Sequence, residues 1–519
     1  MKHARLAICV LLACTASVLH CQARPLPNLE QWLGLGKEKA SGEGEGELWA
    51  LLIAGSAGWG NYRHQADVAH AYQVLSRGGV PDDHIVVMVY NDIADNPENP
   101  RPGTLINHPT GEDVYSGMPL DYTKNNVNAE TFLALLTRNQ SGIPANGPHS
   151  TGKMINAGPN DRIFVFYSDH GAPGIIGMPS GDFLYADQLH KAIKHCKKHH
   201  GFAEMVLYIE ACESGSMFKG LLEDDLGIYA VTAANEKESS WGVYCPGMEP
   251  SPPAEYNTCL GDLYSVSWME DSDSNDLTAE TLKKQYQNVR LRTSQNYTYT
   301  QGSHVERFGE LELDEEEVSR YLGQKNTGGK APANLHGNEK WTSLQEAIPQ
   351  READLVPLRV TAQRHASTEK GTAAAEQLEA EVARRHALDE AVYQAVEHIL
   401  IEIDSVDANH GGGIVSSLLA PTSISPELLT AENLMDAIVP EPNGSEALVS
   451  DWDCLRAMVK AWSTAYKPLD QYGMKHTRVF ANLCNLNVSP DSLYAAAAST
   501  VLLGEAGIEP VEIEALAES

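Results

Sequence analysis

Continuous apolar runs rich in β-formers alternate with helical stretches through the first half of this chain. ELWALLIAG (47–55), HIVVMVY (84–90), DRIFVFYSDHG (161–171), residues 205–211 and a shorter run at 228–233 read as strands. Residues 64–78, 128–137 and 185–200 carry apolar residues at helical spacing, and a Pro/Gly/Asn-rich loop fills 91–127. A strand apolar at nearly every position has both faces covered, and strands separated by helices pair in parallel. The pattern predicts an α/β fold, a mostly parallel sheet flanked by helices. After residue 325 the character changes. TGGKAPANLHGN (327–338) is linker-like, 369–403 is one long helical stretch, and GGG at 411–413 breaks it. WDCLRAMVKAWSTAY and SLYAAAASTVLLGEAG continue the helical pattern, so an all-α region follows the sheet domain.

The chain is long enough for roughly two to four domains. Its balance is acidic, with Lys+Arg 38 against Asp+Glu 70 and a formal net charge of −32. Nucleic-acid binding is excluded as the main role, because phosphate contacts need a basic face. Lys2, His3 and Arg5 precede an apolar run over 6–19, the layout of a signal peptide and too short for a membrane span. The expected organisation is a signal peptide (1–23), an N-terminal propeptide (24–46), a sheet domain (47–325), a linker with a helical segment (326–403) and a helical C-terminal domain (404–519). No membrane anchor is expected.

Cysteine usage fits entry into the secretory pathway. Outside the leader lie Cys196, Cys212, Cys245, Cys259, Cys454 and Cys484. In an oxidising lumen some of these are expected to pair. Cys245 and Cys259 bracket a Pro-rich loop, and Cys454 and Cys484 stand together near the C-terminus. Those two local pairs would leave Cys196 and Cys212 free. Sequons at Asn139, Asn296 and Asn443 are candidate glycosylation sites, and Pro490 weakens the one at Asn487. HKAIKHCKKHH (190–200) offers His and Cys, but its spacing suits no closed tetrahedral site and its lysines oppose a cation. It reads as a solvated basic helix end. No metal and no cofactor are expected.

Sites in parallel sheets collect beyond the carboxyl ends of the strands. Three such ends here carry reactive groups: Asn61, Arg63 and His64 after the first strand, Asp169, His170 and Gly171 after the third, and Glu210 and Cys212 after the fourth. Taken singly, a cysteine at a strand end is more often a buried structural thiol, and a His-Gly or an Asn more often a turn. Taken together they are the parts of a cysteine hydrolase. Cys212 supplies the nucleophile, His170 the base, Asn61 an orienting amide, and Gly171 with the Cys212 amide an oxyanion site. The carboxylates flanking the cysteine are unexpected, since negative charge makes a thiol a poorer nucleophile.

NYRHQAD, SDHG, YIEACESGSM, TAANEKESSWG and TCLGDLYSVSWMEDSD resemble the legumains, also called asparaginyl endopeptidases or vacuolar processing enzymes, peptidase family C13, in their plant-type form. The resemblance is dense over about 48–320 and looser through IPQREADLV, DWDCLRAMV and QYGMKHTRVFANLCN. It implies a caspase-like fold and cleavage after Asn, and after Asp at lower pH. It implies Cys212, His170, Asn61 and Gly171 as catalytic residues. It also gives Glu210 a task, as a wall of the S1 pocket with Arg63, Ser239 and Asp262. A guanidinium matches a carboxamide oxygen and carboxylates match its NH2 group, so such a pocket prefers Asn and rejects ionised Asp.

The resemblance further implies protein and peptide substrates, and a C-terminal prodomain that covers the site and leaves at acid pH. Lys475 and His476 are expected to contact the acidic S1 pocket, with carboxylate protonation weakening the latch. Asn326, Asn334 and Asn338 are candidate self-cleavage sites. A vacuole- or lysosome-like acidic compartment, or secretion, is implied, and a homodimer of the zymogen is allowed. The family prodomain usually has four cysteines in two crossed bridges, whereas only Cys454 and Cys484 stand here, so a weaker lid is expected. Other readings are an asparaginyl peptide ligase using the same acyl-enzyme, a catalytically silent binding protein, and a subunit of a membrane-bound transamidase. The complete Cys-His-Asn set argues against the second, and the lack of another apolar span against the third.

Overall fold

The computed structural model describes residues 46–324, 346–408, 430–431, 434–435 and 447–506. The expected signal peptide, the propeptide, Asn326, Asn334, Asn338 and Asn443 lie outside the described residues. Along the chain run β1 (Leu48–Ala54), α1 (Tyr62–Arg77), β2 (Ile85–Met88), α2 (Ala129–Thr137) and β3 (Arg162–Ser168). Three short strands follow, β4 (Gly171–Ala172), β5 (Ile175–Ile176) and β6 (Leu184–Tyr185), then α3 (Ala186–His199), β7 (Glu204–Glu210) and β8 (Ile228–Thr232). Beyond them lie β9 (Trp241–Val243), β10 (Gly261–Asp262), α4 (Leu263–Ser274), α5 (Leu282–Thr293) and β11 (Glu306–Gly309). Of these, β1, β2, β3, β7, β8 and α1 to α3 match the expected strands and helices to within a few residues at their ends, and the rest were not foreseen.

The central sheet has the order β11-β8-β7-β3-β1-β2. All neighbours are parallel except β11, which caps one edge antiparallel to β8. The expected α/β architecture is therefore what forms. Even side chains of β1 (Ala50, Leu52) face one apolar layer and odd ones (Leu51, Ile53) the other, with helices over both. This two-sided burial is why the strands read as unbroken apolar runs. The register sets Ala54 opposite Ser168 and Ser168 opposite Glu210, so β1, β3 and β7 end level. Cys196 is buried in one of these layers, and His195 and His199 stand exposed beside it on α3.

The C-terminal half adds β12 (Ala347–Pro349), α6 (Val356–Arg364), α7 (Glu369–Ala408), α8 (Trp452–Ala465), α9 (Thr477–Asn485) and α10 (Pro490–Ala506). The helix expected over 369–403 runs on to Ala408. It belongs by packing to the helices after it: Val392, Val396 and Leu400 share one apolar cluster with Leu455, Met458, Trp462 and Leu483. Ala172, Ile175 and Tyr185 of the sheet domain enter the same cluster. Arg456 adds an ion pair to Asp187 at 2.8 Å. Both expected disulfides are present, Cys245–Cys259 and Cys454–Cys484, and Cys196 and Cys212 are free. Among the described residues no helix is long and apolar enough to cross a membrane.

Candidate active site

Level strand ends bring Cys212, His170 and Asn61 to one place. Cys212 stands two residues beyond β7, His170 two beyond β3, and Asn61 directly before α1. All three are buried. Asn61 Nδ2 donates to the Ala57 carbonyl (2.9 Å) and to Gln471 Oε1 (2.8 Å), which fixes the amide so that Oδ1 faces His170 Nε2 at 2.9 Å. An oxygen without a proton can only accept, so His170 carries its proton on Nε2. Nδ1 is then the basic nitrogen, and it has no hydrogen-bond partner among the described residues. Burial and the Arg63, Arg351 and Arg385 charges hold this imidazole well below its ordinary value.

The thiol does not meet that base directly. Cys212 Sγ donates to Gln350 Oε1 at 3.4 Å, accepts from the Ser240 amide at 3.4 Å, and lies 3.2 Å from Ser239 Oγ. Ser239 thus stands at the nucleophile. Burial pushes the thiol up; the Arg351 guanidinium pulls it down and Glu213 pushes it up again. Gly171 follows His170 where a Cβ would lie 2.3 Å from the Cys212 carbonyl oxygen and 2.9 Å from Ala211 Cβ. Only glycine lets these two loops approach so closely.

Beside the thiol is a buried charged pocket. Arg63 is fully enclosed; it donates Nε to Asp262 (2.9 Å), Nη1 to the Gly60 carbonyl (2.9 Å) and Nη2 to the Gln350 carbonyl (3.3 Å). Glu210, the last residue of β7, accepts from the Ser265 amide (2.9 Å) and hydroxyl (3.0 Å). Arg63, Glu210 and Asp262 therefore come together as expected. A third carboxylate, Asp67 on α1, was not foreseen: it accepts from Asn107 at 2.7 Å and from Ser168 at 3.0 Å. Burial first, and then mutual repulsion, pushes Asp67 and Glu210 well above the usual carboxylate range. Asp262 is pushed up by burial against the opposing pull of Arg63. Such a set shares protons rather than carrying three full charges. Its helical spacing from Arg63, His64 and His70, on one face of α1, is the signal that could have singled out Asp67.

His64 lies beneath His170, its ring edge-on at 5.1 Å, with Nδ1 2.6 Å from Ser56 Oγ and 3.2 Å from Asp169. Burial raises Asp169 to about 7. His64, Asp169 and His170 are close enough to share a cation. The donors do not suit one: His170 Nε2 is committed to Asn61 and His64 Nδ1 to Ser56, and the Arg63 charge acts on both rings.

The site is closed by a strap that sequence reasoning missed. β12 adds to β9 antiparallel, with Ile348 opposite Gly242. The next residue, Gln350, donates its amide to the Ser240 carbonyl (2.9 Å), and its side-chain NH2 group reaches the Asp169 carbonyl (3.1 Å). Arg351 then donates to both Glu213 oxygens (2.6 and 3.1 Å) and to the Gly171 carbonyl (2.9 Å). So the two carboxylates flanking the cysteine divide: Glu210 belongs to the pocket and Glu213 to the strap. Lys475 and His476, expected at the pocket, pair among the described residues with an acid of the helical region. Both bond Asp389 on α7, at 3.0 Å, and hold the helical region together. Their neighbour Gln471 is the C-terminal residue that reaches the catalytic set, through Asn61. Asn139 and Asn296 are exposed, as a glycan requires.

A model of the Peptidase C13 family matches residues 48–324, and one described as "Legumain, prodomain" matches 422–501. A vacuolar-processing enzyme of Glycine max is 42% identical over 91% of this chain and 89% of its own. A legumain of Canavalia ensiformis is 44% identical over 87% of this chain and 88% of its own. A caspase-1 structure from Spodoptera frugiperda is similar at a TM-score of 0.29 and 10% identity, covering 51% of this chain and 87% of that one. The last likeness is too slight to carry weight, and the fold rests on the strand order. The sequence matches span both the sheet domain and the helical region. The chain belongs to the peptidase C13 family, and is a cysteine peptidase with a C-terminal legumain prodomain.

Proposed function

We propose that this peptidase cleaves proteins after asparagine, and that strap and prodomain keep it latent until an acidic compartment activates it. The observation that carries the specificity is Gln350. Gln350 stands where the scissile residue belongs: its backbone N–H donates to the Ser240 carbonyl, its backbone carbonyl accepts from Arg63, and its carboxamide meets the Cys212 thiol, His64 and the Asp169 carbonyl. Asparagine presents the same group one methylene shorter. Arg63 and the Glu210–Asp262 pair offer one donor and two acceptors to it. An ionised Asp meets the carboxylates and is rejected; protonated at acid pH, it fits.

In the reaction so read, His170 Nδ1 takes the Cys212 proton, and the thiolate attacks the asparagine carbonyl. The oxyanion is met by the Gly171 and Cys212 amides. The imidazolium returns the proton to the leaving amine, and water resolves the thioester. Asn61 keeps Nδ1 turned to the thiol throughout. Self-cleavage in the segment holding Asn326, Asn334 and Asn338 frees the strap, and relatives named for the vacuole support an acidic vacuolar setting.

The test takes the full-length protein and Cys212→Ala to pH 5 with a peptide containing Asn, Asp and Gln. Intact mass is expected to record self-trimming and a new C-terminus after Asn in the wild type alone. Equal cleavage after Asn and Asp at neutral pH would overturn the specificity, and an amine-capped product in place of the acid would make the protein a ligase.

A further inference from the structure

Behind the charged pocket lies a second layer of polar groups that runs out to the surface. Asp67 accepts from Asn107 Nδ2 at 2.7 Å, and the Asp262 amide also points at it, at 3.4 Å. The same Asn107 Nδ2 donates to the Leu260 carbonyl at 2.9 Å. A carbonyl can only accept, so the amide orientation is fixed and Oδ1 is turned to His70 Nδ1, at 2.8 Å. That oxygen has no proton either, so Nδ1 carries one. The other ring nitrogen, Nε2, lies 2.9 Å from Asp273 on α4. Against the upward push of burial, His70 and Arg77 hold Asp273 below its ordinary value, so it too accepts. Both nitrogens of His70 therefore donate, and a ring that donates twice is an imidazolium. His70 is only 6% exposed. Its positive charge is thus enclosed one amide away from Asp67, and the part-exposed Arg77 closes the chain on Asp273.

We infer that His70 and Asn107 are positioning residues that set the selectivity of this pocket: the imidazolium, relayed by the Asn107 amide, limits the protons that Asp67, Asp262 and Glu210 share, and so keeps the pocket able to refuse an ionised side chain. This rests on the reading of the pocket as the seat of the cleaved asparagine. A cation favours the ionised form of its neighbours. With His70 uncharged, the three acids hold more proton at the same pH. An ionised Asp then meets less negative charge and finds an acid O–H to bond, whereas Asn loses an acceptor for its NH2 group. Discrimination between the two falls from both sides.

The experiment uses acid-activated protein and two octapeptides that differ only in carrying a single Asn or a single Asp, compared at pH 7. In His70→Gln the Asp-to-Asn ratio of kcat/KM is expected to rise about tenfold, the reach of one unit charge over several ångströms at an effective dielectric of about 20. His70→Lys keeps the charge and is expected to stay within about threefold of the wild-type ratio. Asp273→Asn, nearer the surface, offers Nε2 a donor in place of an acceptor and so suits a neutral ring; it is expected to raise the ratio as His70→Gln does. A purely structural role would lower both peptides together and leave the ratio alone. An unchanged ratio in His70→Gln, or in Asp273→Asn should the first variant not fold, overturns the relay, as does an equal rise in His70→Lys. Each of these leaves the asparagine reading standing. Wild-type cleavage elsewhere than after Asn overturns both.

Discussion

Replacing His170 by Asn in a Cys212→Ala background removes one buried imidazole from a protein that can no longer cut itself. In the latent state His170 is neutral, held below its ordinary value by burial and by Arg63, Arg351 and Arg385. Arg351 follows Gln350 in the strap and Arg385 is on α7; both charges recede, and water enters, when the strap lifts. The open state then binds a proton that the closed state refuses. A lowered closed-state value means that closure is fully stable above about pH 6.5 and weakens as pH falls below it. Each proton taken up is worth about 1.4 kcal/mol per pH unit, or tenfold in the opening constant. From well above pH 6.5 down to pH 5 one histidine therefore favours opening by about 30-fold.

The carboxylates do not supply this trigger. Against the upward push of burial, His476, Tyr472 and Lys475 hold Asp389 down to about 2, so its ion pairs survive until far below pH 5. Glu213 is pushed up by burial despite Arg351, and that sign favours closure in acid. Asp169 keeps its own neighbours, Ser56, Tyr167 and His64, whether or not the strap is present, so its protonation cancels. On these directions the opening predicted here runs through histidine protonation, where the sequence led us to expect carboxylate protonation. Hydrogen exchange over 347–353, followed from pH 7 to 4.5 and corrected for intrinsic rates, measures the opening constant. The slope is expected to fall by about one proton in His170→Asn. Equal slopes, or a single transition below pH 4, would refute the reasoning.

Arg63→Lys keeps the charge but loses the three-way fork, and kcat/KM on an Asn peptide is expected to drop by about 30-fold, corresponding to ~2 kcal/mol of charge-assisted hydrogen bonding. Breaking the Cys454–Cys484 bond with paired alanines releases a loop of sequence separation 30, and should lower the stability of the helical region by about 3–4 kcal/mol. Calorimetry should then show only the prodomain transition moving. The raised Asp169 and Asp271, at about 7 and about 6, favour the folded state below pH 4 and lose that advantage as pH rises through 6 to 7. Cys212→Ala is therefore expected to melt at a higher temperature at pH 5 than at pH 7.5, with Asp169 alone contributing about 2.5 kcal/mol of the difference. A higher melting temperature at pH 7.5 would contradict those buried acids.

The sheet and the catalytic residues were legible because both are local in the chain. An apolar run ending in polar residues announces a parallel strand and its carboxyl end, and Ser168 opposite Glu210 is the register that such strands adopt. Arg63 and Glu210 were legible as charges at those ends. The strap was not, because its signal lies in what it lacks: IPQR is a short extended stretch whose strand exists only by pairing with β9, over a hundred residues earlier in the chain. Propensity has little to say about a strand made by tertiary pairing. Lys475 and His476 misled for the related reason that a basic residue near an acidic pocket in sequence logic can find a nearer acid, here Asp389 on α7.

Latency and reactivity in this site come from the same physical term. Burial by Gln350 and Arg351 disfavours both charged forms that catalysis needs, the thiolate of Cys212 and the imidazolium of His170. The thiol proton points to Gln350 and the basic nitrogen of His170 is left empty, so the pair is assembled but not engaged. Lifting the strap returns water to both groups at once. It also removes Arg351 from Glu213, which frees a carboxylate one residue from the nucleophile. That uncovered charge opposes the thiolate and favours the imidazolium. His170 must be neutral to take the thiol proton, so activity of the opened enzyme on an Asn peptide is expected to fall as pH drops below the ordinary imidazole range, although the same protonation opens the strap.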